Sequence, residues 1–361
     1  MSLIKVKTRG TDNVSGRRNL VHNGSMSIAQ RGTSQTGVGA SSHFVCDRWK
    51  LHGTSSGRLT ATQDSSAPLG FGSSLKLDCT TADTSIAADE FLLISQGFEG
   101  QNLQSIGKGL TGAKQITVSF YVKASGVFTF GFELYDADNA RSNCRTFATT
   151  TDWVRHSFVI QADEDDGSSP FDNDNAASMY LNFFLHAGSN YTSGTLATNW
   201  ANYVQANRAV GISSFYSSTD NEFFLTGVQI EVGDSASDFE HRSFGEELEL
   251  CKRYFIMHSN LGTNTALSDG FMWDTTEVDF MYTFPVEMRA TPSIYQVTGA
   301  NYFKIIGGGA TTYVDGNWTL QYASKFATSH YATSDGSRTA GDSCHITFNN
   351  TAARLGYSAE L

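Results

Sequence analysis

From residue 74 onward, apolar side chains fall on alternate positions in one short run after another. Leu75, Leu77 and Cys79 share one face of Ser74–Cys79. Ile116, Val118, Phe120 and Val122 share one face of the next run, and Phe128, Phe130, Phe132 and Leu134 of the one after it. A period of two is the mark of a half-buried strand. Ser125-Gly126 between the last two runs predicts that they form an antiparallel hairpin. Trp153–Ile160, Met179–Leu185 and Glu222–Val232 continue the series, and Phe44–Leu51, closed by Gly53, precedes it. Many short strands separated by turn residues predict a two-sheet sandwich.

The period changes once. Leu248, Cys251 and Phe255 form an apolar stripe at helical spacing. Ser243 and Glu246 stand at the spacing of a capping box, in which each side chain satisfies a backbone N–H of the other's segment. Acidic residues lead this stretch, and Lys252 and Arg253 close it, which complements the helix dipole. Strand patterns then resume at Glu277–Pro285, Ser293–Val297, Trp318–Tyr322 and Cys344–Phe348. The expected fold is all-β. It has an extended N-terminal arm (1–39), a jelly-roll-like β-sandwich (40–242), a short linker helix (243–255) and a smaller C-terminal β domain (256–361). At roughly 150 residues per domain, 361 residues suit two cores.

Composition sharpens this reading. Charged residues are only 17%, so Ser, Thr, Asn, Gln and Gly must supply the polar surface. With 25 Phe and 14 Tyr, that mixture favours strands and turns. No run of about 18 apolar residues exists to span a membrane, and the first residues do not read as a signal peptide. The 5 cysteines are far apart and include no CxxC pair. They read as free, mostly buried thiols, which suits assembly in a reducing cytoplasm. Residues 1–35 hold six basic residues against Asp12, a net +5, leaving −16 on the rest of a chain whose total is −11. Most of the surface should therefore repel nucleic acid, while the arm could dock on an acidic neighbour. Ile4-Lys5-Val6-Lys7 alternates as an added edge strand would, Arg17 and Arg18 add charge, and Leu20, Val21, Met26 and Ile28 could fill pockets on a partner.

Several segments resemble a family of virion structural proteins of tailed phages, notably marine ones. Asn19-Leu20-Val21-His22-Asn23-Gly24, Gln30-Arg31-Gly32-Thr33 and Asp47-Arg48-Trp49 are similar to the opening of that family, in which the last of these belongs to a strand. Thr226-Gly227-Val228-Gln229-Ile230-Glu231-Val232-Gly233, Phe239-Glu240-His241-Arg242-Ser243 and Glu247–Phe255 are similar to its most specific run. Gly233–Asp238 departs from the usual Ala-Thr-Pro turn. Pro285–Pro292 resembles the segment that follows, so the likeness covers roughly residues 19–290. It implies a tail-fibre or appendage subunit with a jelly roll similar to carbohydrate-binding modules. It also implies virion tail proteins as partners and a homotrimer, and it implies no catalytic residues.

Paired acids abound at Asp89-Glu90, Asp136/Asp138, Asp163–Asp166 and Asp172/Asp174. They lie in loop-like stretches and read as solvated turns rather than as the opposed carboxyls of a glycosidase. Asp163–Asp166 and Asp172–Asn175 offer oxygen ligands for Ca²⁺, but neither has EF-hand spacing. The His residues show no metal-ligand pairing. No cofactor or metal is expected, and no enzyme. Trp49 and Trp153 read as core. Trp200, Tyr191 and Tyr203 share a polar loop, either as buried anchors or as rings for a host surface glycan, and Trp273 and Trp318 are open in the same way. The expected role is an appendage subunit of the virion, assembled in the host cytoplasm and mounted by its arm. The alternatives are a polysaccharide-degrading tail spike and a capsid decoration protein.

Overall fold

The computed structural model describes residues 18–164, 169–259 and 263–361. Its strands in chain order begin β1 (Ser34–Val38), β2 (His43–Phe44), β3 (Lys50–Gly53), β4 (Arg58–Asp64), β5 (Ser74–Thr81), β6 (Phe91–Glu99) and β7 (Ile116–Ala124). There follow β8 (Thr129–Asp136), β9 (Arg141–Ala148), β10 (Val154–Ile160), β11 (Ala177–Ala187), β12 (Ala201–Asn202) and β13 (Glu222–Val232). These build two antiparallel sheets, in the orders β1-β4-β5-β13-β7-β10 and β12-β9-β8-β11-β6-β3-β2. The chain separates into two compact units, residues up to Glu247 together with Leu361, and Leu248–Glu360. The protein is a β-sandwich followed by a smaller β unit, with little helix.

The inner faces of the sandwich are the alternating rows read from the sequence. Val118, Phe120 and Val122 from one sheet meet Phe130, Phe132 and Phe183 from the other, all fully buried. Phe120 touches Phe132 (ring centroids 5.8 Å) and Phe183 (5.0 Å) edge to face. The expected hairpin between Ile116–Lys123 and Val127–Leu134 does not form. Strand β7 pairs with β10 and β13, whereas β8 pairs with β9 and β11. The two runs face each other across the core because each carries a complete apolar row. Alternation shows that a strand has an inner face but not whether its neighbour lies beside it or opposite it.

The N-terminal expectation is corrected as well. Val21, Met26 and Ile28 are at most 2% exposed and Asn23 is fully buried, so this stretch fills the protein's own core rather than a partner's pockets. A segment without a sheet partner must satisfy its backbone by other means. Asn23 Nδ2 donates to the Ile28 and Asp47 carbonyls (2.9 Å each), and Oδ1 accepts from Ile28 N–H (3.0 Å). The Asn23 carbonyl accepts from Trp49 Nε1 (2.9 Å), and its N–H donates to Glu247 (2.5 Å). Asn19 Oδ1 accepts from Val21 and Ile230 N–H, and Arg242 donates to the Asn19 and Val21 carbonyls. Gly24 lies so close to β13 that a Cβ there would stand 2.2 Å from the Val228 carbonyl oxygen. Gly227, with φ of +62°, makes the bulge that brings Val228 N–H to the Gly24 carbonyl (3.0 Å). Of the remaining arm candidates, Arg18 is half-buried, and Ile4, Lys5, Val6, Lys7 and Arg17 lie outside the described residues.

Asp47-Arg48-Trp49 is a turn between β2 and β3, not part of one strand. The Asp47 carboxylate accepts from Gln30 N–H (2.9 Å) and Nε2 (2.5 Å), drawing the chain inward, and Arg48 takes a positive φ of 71°. Trp49 is fully buried; Trp153 is only half-buried, its ring 6.1 Å from Phe224. All five cysteines are free and buried.

The α-helices among the described residues are the single turn α1 (Ser189–Thr192) and α2 (Phe244–Lys252). Ser243 and Glu246 cap α2 reciprocally (3.1 and 3.3 Å). It stops short of the expected 255 because Phe255 enters a sheet opposite Ser358. The second unit contains β14 (Phe255–Ser259), β15 (Thr265–Met272), β16 (Glu277–Thr283), β17 (Ser293–Val297) and β18 (Phe303–Gly307). It continues with β19 (Ala310–Ala323), β20 (Ala327–Ser334), β21 (Ser343–Phe348) and β22 (Arg354–Ser358). Six of these close a barrel, β15-β16-β20-β19-β18-β21, and β14-β22-β17 form a small sheet. Trp318 fills the barrel between Phe280 (4.9 Å) and Phe303 (5.8 Å). Among the described residues no helix is long and apolar enough to cross a membrane.

Replacing Asn23 with Ala strands the Ile28 N–H and two carbonyls in the core. The expected loss is about 3 kcal/mol in urea-induced unfolding of the sandwich. Leu69→Ser, at a fully exposed position, should unfold as the wild type does.

Candidate functional site

The inward rows of β6, β8 and β11 leave a second set of residues on the outer face of the seven-stranded sheet. This set includes Ser95, Glu133, Tyr135, Tyr180, Asn182 and Phe184. The segment after β11 folds back over one half of that face. Tyr191 and Ala209 join Leu93 and Phe184 in a small apolar cluster that pins it there. Arg208 reaches from the same segment to Glu133, which is fully buried (2.8 and 2.6 Å). Glu133 also accepts from Ser142 Oγ and Asn182 Nδ2 (2.9 Å each), and Asn182 Oδ1 accepts from Ser95 Oγ (2.7 Å). The Arg208 guanidinium lies against Phe184 (5.0 Å) and Tyr203 (5.2 Å). Burial opposes its charge, but the hydrogen bonds and attraction of Glu133 outweigh burial and raise its pKa.

The other half of the face is open, forming a cleft of about 250 Å³. Tyr135 and Tyr180, directly opposite each other on β8 and β11, stack at 6.4 Å with 27° between their planes. Both are half-buried, so their rings border the cleft without being sealed into the core. Ser95 and Asn182 form its polar floor, and Lys50, His52 and Arg48 line it as well. Arg48 is held by a hydrogen bond to the Gly97 carbonyl (2.7 Å). Burial, then the Lys50 charge, lowers the His52 pKa, so this imidazole is neutral at neutral pH. No Asp or Glu side chain lines the cleft among the described residues, and its charged side chains are Arg48 and Lys50, on a chain of net charge −11.

The glycan candidates from the sequence do not form one platform. Tyr191 is 9% exposed and serves as the loop's apolar anchor. Tyr203 is half-buried, packed edge-on against Tyr135 (5.4 Å), and its hydroxyl accepts from Arg208 (3.3 Å). Trp200 packs against the main core instead, with Nε1 donating to the Gln161 carbonyl (3.2 Å). The void beside it, about 10 Å³, is too small for a sugar ring. In the second unit Trp318 is core, whereas Trp273 is exposed beside Phe271 (6.4 Å). Nothing in the sequence singles out Tyr135 and Tyr180, because each sits inside a strand whose apolar row marks the opposite face.

Two acids read as solvated turns are buried. Lys108 Nζ lies 2.5 Å from Asp136 and 2.9 Å from Asp163, and Arg141 pairs with Asp163 through two bonds of 2.9 Å. Asp163 is thus committed to cations of the protein itself, and Asp172 and Asp174 are exposed. Asp165 and Asp166 lie outside the described residues. Among the described residues one group has the spacing of a metal-ligand set, Asp83, Glu90 and His186.

No known family model matches the chain, and no curated protein does. Among solved structures it is similar to a CBM4 (11% identity over 59% of this chain and 99% of that one, TM-score 0.30). It is also similar to the CBM22-1 xylan-binding domain from Paenibacillus barcinonensis Xyn10C (12%, 62% and 100%, TM-score 0.29). A third is the enzymatically active domain of bacteriophage CBA120 tailspike protein 4 (12%, 60% and only 21%, TM-score 0.29). At TM-scores this low the likenesses carry no inference about fold or function.

Replacing Arg208 with Ala leaves Glu133 charged and unpaired inside the structure. The sandwich should lose about 3–5 kcal/mol, measured by guanidinium unfolding. An Arg208→Met, Glu133→Leu double variant should recover much of it.

Proposed function

We propose that this protein is a glycan-binding structural subunit of a tailed-phage appendage, without catalytic activity. The observation that carries the binding role is the open cleft on the seven-stranded sheet. Its stacked Tyr135 and Tyr180 rings offer an apolar surface to the face of a sugar ring. Ser95 and Asn182 keep hydrogen-bonding capacity for hydroxyls on the floor. Rings on a rigid sheet lose little freedom on binding, which favours affinity. Lys50 and Arg48 suit a polysaccharide that carries carboxylate or other acidic groups. Hydrolysis of a glycoside uses a pair of Asp or Glu side chains flanking the bond, and among the described residues the cleft's lining holds no such side chain.

The appendage role, with other tail proteins as partners and a homotrimeric assembly, rests on the resemblance of residues 19–290 to phage virion proteins. The residues that carry that resemblance do internal work here: Asn19, Asn23, Asp47, Trp49 and Arg242 tie the first segment to the sandwich. They therefore speak for a common architecture rather than a common ligand.

The test is binding of the purified protein to host surface polysaccharides, by calorimetry or affinity electrophoresis. Tyr180→Ala and Tyr135→Ala should each weaken binding about tenfold to a hundredfold, the effect of a lost aromatic anchor, with circular dichroism unchanged. Wild-type binding by both folded variants would remove the cleft from consideration, and release of reducing ends would make the protein an enzyme. Antibody labelling of intact particles should mark the tail; label on the capsid would overturn the appendage role.

A further inference from the structure

We infer that Asp83, Glu90 and His186 form a binding site for a zinc-class divalent metal ion, away from the glycan cleft. The three come from separate places: Asp83 just after β5, Glu90 just before β6, and His186 near the end of β11. Along β11, His186 and Tyr180 are six residues apart, or about 20 Å at strand rise.

The geometry of His186 points to a ligand. Its side chain is fully buried, with the ring edge-on to Tyr216 (5.3 Å). Nδ1 lies 2.8 Å from Ser214 Oγ, while Nε2 is buried without any hydrogen-bond partner. In the tautomer whose Nδ1–H donates to Ser214 Oγ, the lone pair lies on Nε2, as a metal-bound imidazole supported through its other nitrogen requires. That nitrogen faces Glu90 Oε2 at 3.9 Å, too far for a hydrogen bond. With bonds of about 2.0–2.2 Å, one ion spans that gap.

Asp83 completes the set. It is 4% exposed, and its backbone N–H is fixed to the Tyr216 carbonyl (2.8 Å). Ser55 Oγ donates to one carboxylate oxygen (2.6 Å) and Ser85 N–H to the other (3.2 Å). Glu90 Oε2 accepts from Ala87 N–H (2.8 Å). Each carboxylate retains lone pairs, and the three donors lie within 4.8 Å of one another. Glu90, the most exposed of them, can close the remaining distance by side-chain rotation. Asp83 and Glu90 stand side by side as two carboxylates. Among the described residues neither has a Lys or Arg ion-pair partner. Burial holds the His186 pKa below its ordinary value against the pull of Asp83 and Glu90, so the ring is the neutral, ligating form at neutral pH.

One imidazole nitrogen with two carboxylate oxygens suits Zn²⁺, Mn²⁺ or Co²⁺ better than Ca²⁺ or Mg²⁺, which favour oxygen alone. Three protein ligands leave room for water. The ion would staple the stretch from Asp83 to Glu90 onto the end of β11.

The test uses the full chain, dialysed against a chelator and titrated with Zn²⁺ by calorimetry and with Co²⁺ by visible absorption. One equivalent should bind with a dissociation constant in the micromolar range or tighter, and Zn²⁺ should raise the melting temperature. Glu90→Gln should weaken binding at least tenfold while leaving circular dichroism unchanged, and His186→Gln should abolish it. His345→Ala, which removes the exposed pair with Asp269, should change neither stoichiometry nor affinity. Absence of saturable binding would overturn the proposal, leaving His186 and its carboxylates as a proton-sharing cluster. Undiminished binding in both site variants, or Ca²⁺ binding as tightly as Zn²⁺, would overturn it equally.

Discussion

The sandwich depends on a buried asparagine that stands in for a strand. Asn23 lies where the chain has no sheet partner, yet it is fully buried and its neighbours Val21, Met26 and Ile28 fill the core. Its amide both donates and accepts, so one side chain satisfies two carbonyls and one N–H. Through its own backbone it also fixes the Trp49 indole and receives Glu247. An apolar residue would leave those groups unpaired, and a charged one would be buried at far greater cost. The spacing of Asn19, Asn23, Gly24, Asp47 and Trp49 follows from this requirement, as does the bulge at Gly227 that lets β13 approach.

With the inner faces filled, the outer face of the seven-stranded sheet becomes the place where polar chemistry collects. One loop decides how it is divided. Tyr191 and Arg208 seal one half, and the Arg208–Glu133 pair is tolerable there because every Glu133 oxygen is hydrogen-bonded. The half left open holds Tyr135, Tyr180 and the polar floor. The polar chain Ser95–Asn182–Glu133–Arg208 runs from one half into the other, so the residues that support the loop also hold the floor of the cleft in place.

The same strand, β11, serves the main features of the molecule. Its odd-numbered residues Met179, Leu181, Phe183 and Leu185 are core. Its even-numbered residues Tyr180 and Asn182 lie in the cleft and Phe184 under the loop, until the bulge between Phe184 and His186 sets His186 opposite the inward-facing Leu92, beside Asp83 and Glu90. Up to that bulge the strand separates stability from chemistry by parity, because successive side chains point to opposite faces, and the bulge breaks the parity at His186.

The sequence by itself determined the all-β class, the inner face of most strands, the capping box of α2 and the free thiols. Each of these is a local property, expressed by neighbouring residues within a few positions. It did not determine which strands pair, and the expected Ile116–Leu134 hairpin became two strands facing each other across the core. It did not show that Val21, Met26 and Ile28 are internal, because their polar neighbours are satisfied by residues as much as 224 positions away, such as Glu240 and Glu247. Trp200 and Tyr191 left two readings open, buried anchor or glycan ring, and packing decides between them: Tyr191 is buried in the small cluster under the loop and Trp200 is half-buried against the main core. Tyr135 with Tyr180, and His186 with Asp83 and Glu90, exist as groups only after the sheets form. Contacts made across strands depend on register and on loop closure, and tertiary packing alone decides both.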